Sequence, residues 1–330
     1  MIEARHDRIL GMTTEQQNGQ PASRPPESRQ PIPGQSVGLG SAALFGEIAL
    51  SFVIAVFVKW LHADLPVFAI LFCRYLFCLP LLLAYGWHQR GPQLFRINNI
   101  GGMTKRCIAG LLGLTTWFIA LGLIDLSLAT ALGQMMPIFI TILAAPMLGE
   151  VVGIRRIAAV VAGFAGVMIL LGPVEFSSNA LGIAFGLAFP FLSALMFIYL
   201  RQIGRSDSPV STSIWHNIAG VFYALVLGLF DGSMPALVSG DIGMNAWFML
   251  IAIGVTASFQ QFLMALSHTL APASVLAPLH YTAIPMGVVI GMVFFGETIT
   301  ASFIIGVMIV VMANYYILMR ERAQRNPKKS

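Results

Sequence analysis

The stretch LSLATALGQMMPIFITILAAPMLGE (126–150) is echoed late in the chain by LAPASVLAPLHYTAIPMGVVIGMVFFGE (270–297). Both open on L-x-x-A-[TS]-[AV]-L, continue as an apolar run and close on a Gly-Glu turn, Gly149-Glu150 and Gly296-Glu297. Nine residues after each Glu stands a small residue, Ala159 and Gly306. The offset is 144 at the opening motif and 147 at the closing one, which reads as three extra residues in the second copy. Working outward, apolar stretches recur over the whole of 41–319 with short polar breaks. A bilayer-spanning helix takes about 20 mostly apolar residues. Ten stretches fit, near 41–61, 66–86, 104–123, 127–148, 155–172, 180–201, 212–231, 245–267, 274–295 and 299–319. Half of ten is five, an odd number of crossings, so a second copy of a five-span unit enters the membrane from the opposite face. The predicted fold is an all-α polytopic membrane protein with ten transmembrane helices in two inverted five-helix repeats, an arrangement typical of transporters.

Composition excludes the soluble alternatives. Hydrophobic residues make up 57% of the 330-residue chain and charged ones only 10%, against roughly 25% in a soluble domain; mean hydropathy is +0.80. The net charge of +5 would suit an acidic partner, but the positions of the charges explain it otherwise. Short cytoplasmic loops collect Lys and Arg. With the N-terminus inside, seventeen of the nineteen basic residues fall on the cytoplasmic side, in the two tails and in loops holding Arg90, Arg96, Lys105 and Arg106, Arg155 and Arg156, and Arg201 and Arg205. The exceptions are Lys59 and Arg74, while the outer loops carry Asp64, Asp125, Glu175, Asp231, Asp241 and Glu297. Both termini are therefore expected in the cytoplasm of a bacterial-type inner membrane, with lipid as a partner and no nucleic acid. Residues 1–38, rich in Gln, Pro, Ser, Arg and Glu, read as a disordered tail, within which Met12 is a second candidate start. The expected units are that tail, a first repeat over 39–173, a second over 174–320 and a basic tail over 321–330. Cys73, Cys78 and Cys107 form no CxxC pair, so neither a disulfide framework nor a metal site is expected.

Several segments resemble the drug/metabolite transporter superfamily in its EamA-type ten-helix form. They are KWL (59–61) with Pro66 and Arg74, LATALGQMMPIFITILAAPMLGE (128–150), RRIAAVVAGFAGVMIL (155–170) and APASVLAPLHYTAIPMGVVIGMVFFGE (271–297). The resemblance covers residues of about 41–320. It implies ten helices with cytoplasmic termini, a central cavity and carriage of small organic metabolites such as amino acids, vitamins or nucleoside-like solutes. It leaves the solute unassigned. One departure is the seventh span, more polar than the family suggests because of His216.

Charged groups deep in a bilayer are functional candidates. Arg74 is central in span two, at an insertion cost of about 2.5–3.5 kcal/mol if unpaired, and it matches a basic residue common on this helix in the family. It reads equally as structural glue and as an anchor for a substrate carboxylate or phosphate. Glu47 is the other charge well inside the apolar region, and an ion pair with Arg74 is one expectation. Lys59, a turn from the outer end of its span, is expected to snorkel, with a cavity role as the alternative, and Glu47, Lys59 and His216 are the candidates for ion coupling or an ion pair. Uncharged candidates for a substrate cavity are Trp117, Gln134, Gln260, Gln261, His280 and Tyr281, with only one of the adjacent glutamines facing it. Tyr281 also matches a family aromatic. Pro80, Pro137, Pro146, Pro190, Pro278 and Pro285 are intramembrane and permit bending. The pairs Gly182/Gly186 and Gly287/Gly291 have GxxxG spacing, which suits packing within the chain or a homodimer face. Glu150 and Glu297 read as capping or loop residues. No Walker loop is present, so transport would draw on a gradient, with no cofactor. The alternatives are an intramembrane enzyme and a membrane scaffold or sensor. For the first, HExxH, GxSxG and paired membrane carboxylates are missing; for the second, there is no soluble signalling domain.

Overall fold

The computed structural model describes residues 36–325 apart from 149–152, 204–205 and 239–241. The N-terminal tail, the Gly149-Glu150 turn, Arg205, Asp241 and the last basic residues lie outside the described residues. All regular structure among the described residues is helical. In chain order the helices are α1 Val37–Leu61, α2 Val67–Arg90, α3 Ile100–Leu123, α4 Leu126–Gly133, α5 Met136–Leu148, α6 Ile154–Ser178 and α7 Ala180–Ile203. They continue as α8 Pro209–Phe230, α9 Ser233–Val238, α10 Met244–Leu270, α11 Ala273–Leu279, α12 Ala283–Phe295 and α13 Ala301–Arg325. Nine stretches of the described residues are long and apolar enough to cross a bilayer, one of them spanning α4 and α5 together. The tenth, α11 and α12, is broken by a 3-10 turn at His280–Thr282.

Local chemistry sets the helix ends. The Ser36 hydroxyl accepts from the Leu39 amide at the start of α1, and Asn99 Oδ1 accepts from the Gly102 amide at 2.8 Å at the start of α3. These side chains satisfy donors that a helix start leaves without partners. α2 follows Pro66 and ends at Gly91, whose φ of 52° suits a residue without Cβ. Outward-facing side chains such as Phe222, Leu229, Val293 and Met308 are more than half exposed, as lipid-facing residues must be.

The helix neighbours obey the duplication. α3 packs on α7 and α10 packs on α1, so exchanging the halves turns one interface into the other. α2 against α8 and α6 against α13 each map onto themselves. Helix starts refine the register. α4 begins at Leu126 and α11 at Ala273, α5 at Met136 and α12 at Ala283, a constant offset of 147. The offset of 144 expected at the opening motif is thus a three-residue slip. Its cause is that small and apolar residues recur every three or four positions along these helices, so the short motif matches itself one turn away. In structural register Ser127 corresponds to Ser274, and Gln134 to Tyr281.

Candidate functional site at the two broken helices

Proline makes the two breaks. Pro137 has no N–H to return to the Gly133 carbonyl, and α4 stops there; Pro285 has none for Tyr281, and the chain passes through its 3-10 turn. Backbone freed at membrane depth has to find other partners. The Gln134 carbonyl accepts from Asn314 Nδ2 of α13 at 2.7 Å. Asn314 was not among the expected residues; its signal was one amide in an otherwise apolar tenth span. The broken helices also approach each other: a Cβ on Gly287 of α12 would lie 2.9 Å from Thr130 Oγ1 of α4.

Around the first break stand Gln134, half-buried, and Trp117 of α3, whose ring lies 4.7 Å from that of Phe189 on α7. Phe189 in turn abuts Gly133, where a Cβ would come within 3.3 Å of its ring. At the second break His280 and Tyr281 are both half-buried. The interface related to α3–α7 by the duplication, α10–α1, carries different chemistry: Gln260 Nε2 donates to Glu47 Oε1 at 3.0 Å. One interface thus presents a tilted aromatic pair and the other a carboxylate held by an amide.

The remaining candidates are distributed elsewhere. Gln261 donates to Cys78 Sγ and accepts from Asn217 Nδ2, each at 3.4 Å, so it faces α2 and α8 while Gln260 faces α1. An apolar cavity of about 310 Å³ adjoins it, lined by Leu82, Tyr85, Ile214, Ser258 and Phe262. Glu47 therefore does not serve as the partner expected for Arg74, because Gln260 holds it. The guanidinium of Arg74 sits over the Tyr75 ring at 5.0 Å, and its Nε has no hydrogen-bond partner. His216 stands at 6.0 Å from Tyr75, ring to ring. Lys59 is half-buried, with its ammonium at a helix end. Its Nζ donates to the carbonyls of Ile124 at 2.6 Å and Leu121 at 3.3 Å, capping the C-terminus of α3.

Glu297 caps the neighbouring helix. Its carboxylate accepts from the amides of Leu126 at 2.5 Å and Ser127 at 2.9 Å and from Ser127 Oγ at 2.7 Å. Gly296, at φ 65°, turns the chain so that this carboxylate folds back against Gly291. The capping reading holds for Glu297, with the addition that it caps a helix of the other half. Gly182 and Gly186 lie against Leu123, Ile124 and Leu132, and Gly287 and Gly291 against Thr130 and Glu297, so both GxxxG pairs are used within the chain. Sequence reading placed Arg106 in a loop. It is buried two turns into α3 because that helix starts at Ile100, a turn earlier than expected; the cap residue Asn99 was the available signal.

The comparisons agree with this architecture. The EamA-like transporter family matches residues 39–172 and again 180–319. A riboflavin transporter of Vibrio cholerae is 26% identical over 79% of this chain and 87% of its own length. An S-adenosylmethionine uptake transporter of Rickettsia prowazekii is 23% identical, over 82% and 89%. A pseudopaline exporter of Pseudomonas aeruginosa is 26% identical, over 78% and 87%. A protein of known crystal structure superposes with a TM-score of 0.56 at 14% identity, covering 86% of this chain and 98% of that one, which supports the fold alone. Two family matches, one on each half of a helix bundle duplicated in space, lead to one assignment: the chain belongs to the EamA-like transporter family.

Proposed function

We propose that the protein carries a small organic solute, of amino-acid, vitamin or nucleoside-like type, between its two halves by alternating access, without ATP. The observation that carries this reading is the pair of proline-broken helices, α4–α5 and α11–α12, brought side by side with Gln134 and Tyr281 in equivalent positions. Broken helices at midplane depth, in halves related by duplication, form the solute sites of secondary transporters. The named relatives support a solute with rings and polar edges, and they include both an uptake carrier and an exporter. Trp117 and Phe189 supply an apolar wall, while Gln134, Gln260, His280 and Tyr281 supply the few placed polar groups that fix orientation. The units proposed are a first repeat over 39–173 and a second over 174–320, set in an inner membrane with both termini in the cytoplasm; the basic loops support that orientation.

The test is flux into proteoliposomes of purified full-length protein, using riboflavin, S-adenosylmethionine and a set of amino acids as probes. ATP-independent, saturable movement of at least one probe is expected. Gln134→Ala and Tyr281→Phe should each lower it about tenfold, the kinetic equivalent of one hydrogen bond of roughly 1.4 kcal/mol. Flux unchanged in both variants would reject the site.

A further inference from the structure

A second polar cluster lies away from the broken helices, where α2, α3 and α8 meet. Arg74 and Tyr75 come from α2, Arg106 from α3 and His216 from α8. Arg74 is 9% exposed, Arg106 7% and Tyr75 not at all. The four are locked together by packing. Arg106 Nη1 donates to the Thr212 carbonyl at 3.3 Å, one turn before His216. A Cβ on Gly110, one turn after Arg106, would lie 2.8 Å from His216 Cε1, and one on Gly220 would lie 2.6 Å from the Tyr75 ring. His216 and Tyr75 meet edge to face, and Arg74 covers the Tyr75 ring.

What the packing leaves over is a set of polar atoms. Arg74 Nε, Arg106 Nε, the Tyr75 hydroxyl and His216 Nδ1 are all enclosed and all lack a hydrogen-bond partner among the described residues. The cation–π contact sets the Arg74 guanidinium over the Tyr75 ring, and Arg106 gives one of its five donors to the Thr212 carbonyl and meets the Cys107 thiol beside it. The carboxylate expected nearest, Glu47, is bonded to Gln260. Two buried guanidiniums with no counter-ion among the described residues are costly, and planar N–H edges fit the paired oxygens of a carboxylate or phosphate.

We propose that Arg74, Tyr75, Arg106 and His216 form a buried receptor for an oxyanion, the carboxylate or phosphate of a solute or of a lipid headgroup. It is a binding site, and it stands or falls independently of whether the broken helices conduct a solute.

The experiment measures thermal unfolding of the full chain in phosphatidylcholine nanodiscs, titrated with inorganic phosphate against chloride at fixed ionic strength. Phosphate well above its dissociation constant should raise the midpoint by roughly 2–4 °C. Arg106→Gln and Arg74→Gln should each abolish that shift, and Lys105→Gln, exposed on the same helix as Arg106, should keep it. Without anion, Arg106→Gln should unfold no earlier than the parent, since it removes an uncompensated buried charge; a purely structural arginine predicts earlier unfolding. Discs containing phosphatidylglycerol separate the sources. A raised midpoint there that phosphate no longer increases assigns the site to lipid phosphate, and an undiminished phosphate response assigns it to a soluble anion. The proposal is overturned if neither phosphate nor phosphatidylglycerol moves the midpoint of the parent protein, or if the shift survives in both arginine variants.

Discussion

Glu297 and Lys59 act on adjacent helix ends, and each is expected to show in stability. Carboxylate oxygens at a helix start satisfy amides that have no intrahelical partner and complement the positive end of the helix dipole. Replacing Glu297 by Gln keeps the size but removes the charge and turns an acceptor oxygen into a donor that faces amides. A loss of about 1–3 kcal/mol is expected, seen as an earlier unfolding midpoint in nanodiscs; an unchanged midpoint would show that the cap contributes nothing. Lys59→Met leaves the Leu121 and Ile124 carbonyls without their charged donor and should cost about 1.5–3 kcal/mol in the same assay. At this scale the sequence was informative about type and poor about partners. Charge inside an apolar span flagged Glu47, Lys59 and Arg74 directly. It gave no sign that Gln260, more than two hundred residues away, would claim Glu47, because pairing across helices depends on rotation about each axis, which a nearly uniform apolar pattern does not fix. Arg106 was hidden for a different reason, a helix start displaced by one turn.

Helices and connections carry two further expectations. Gly306 of α13 sits where a Cβ would fall 2.5 Å from the Leu170 amide nitrogen and 2.6 Å from the Gly166 carbonyl oxygen of α6. Backbone cannot rotate aside as a side chain can, so Gly306→Ala should force the two helices apart and cost about 1–3 kcal/mol; unfolding at the parent midpoint would contradict the close approach. The connection between α7 and α8 is tied to the one before α3 by Asp207, which accepts from the Asn98 amide at 2.5 Å, from the Asn99 amide at 3.2 Å and from Ser206 Oγ at 2.7 Å. Burial alone would push its carboxyl up, but these hydrogen bonds outweigh it and hold the group below the usual carboxylate range. A depressed folded value means that the clamp contributes fully above the unfolded pKa of about 4. That contribution is lost as pH falls through the lower folded value. Asp207→Asn should therefore flatten the acid limb of stability against pH and leave its shape near neutrality unchanged. The spans themselves were legible from hydropathy, because lipid demands about twenty apolar residues whatever the packing. The register of the duplication was not, because L-x-x-A repeats at helical spacing, and only the helix starts show that the opening motif is shifted by three.

At the scale of the molecule, the proposed orientation, with the basic loops and both chain ends in the cytoplasm, predicts that a C-terminal fluorescent-protein fusion is bright and a C-terminal alkaline phosphatase fusion inactive; the opposite pattern would refute it. The central claim is that solute passes because the two broken helices change their contact. Thr130 and Gly287 meet closely enough for a pair of cysteines to bridge α4 and α12. The direct measurement is solute flux into proteoliposomes of the Thr130→Cys, Gly287→Cys double variant, with Cys73, Cys78 and Cys107 replaced, before and after oxidation and again after reduction. Flux that stops on oxidation and returns on reduction is predicted; full flux through the cross-linked protein would contradict the account.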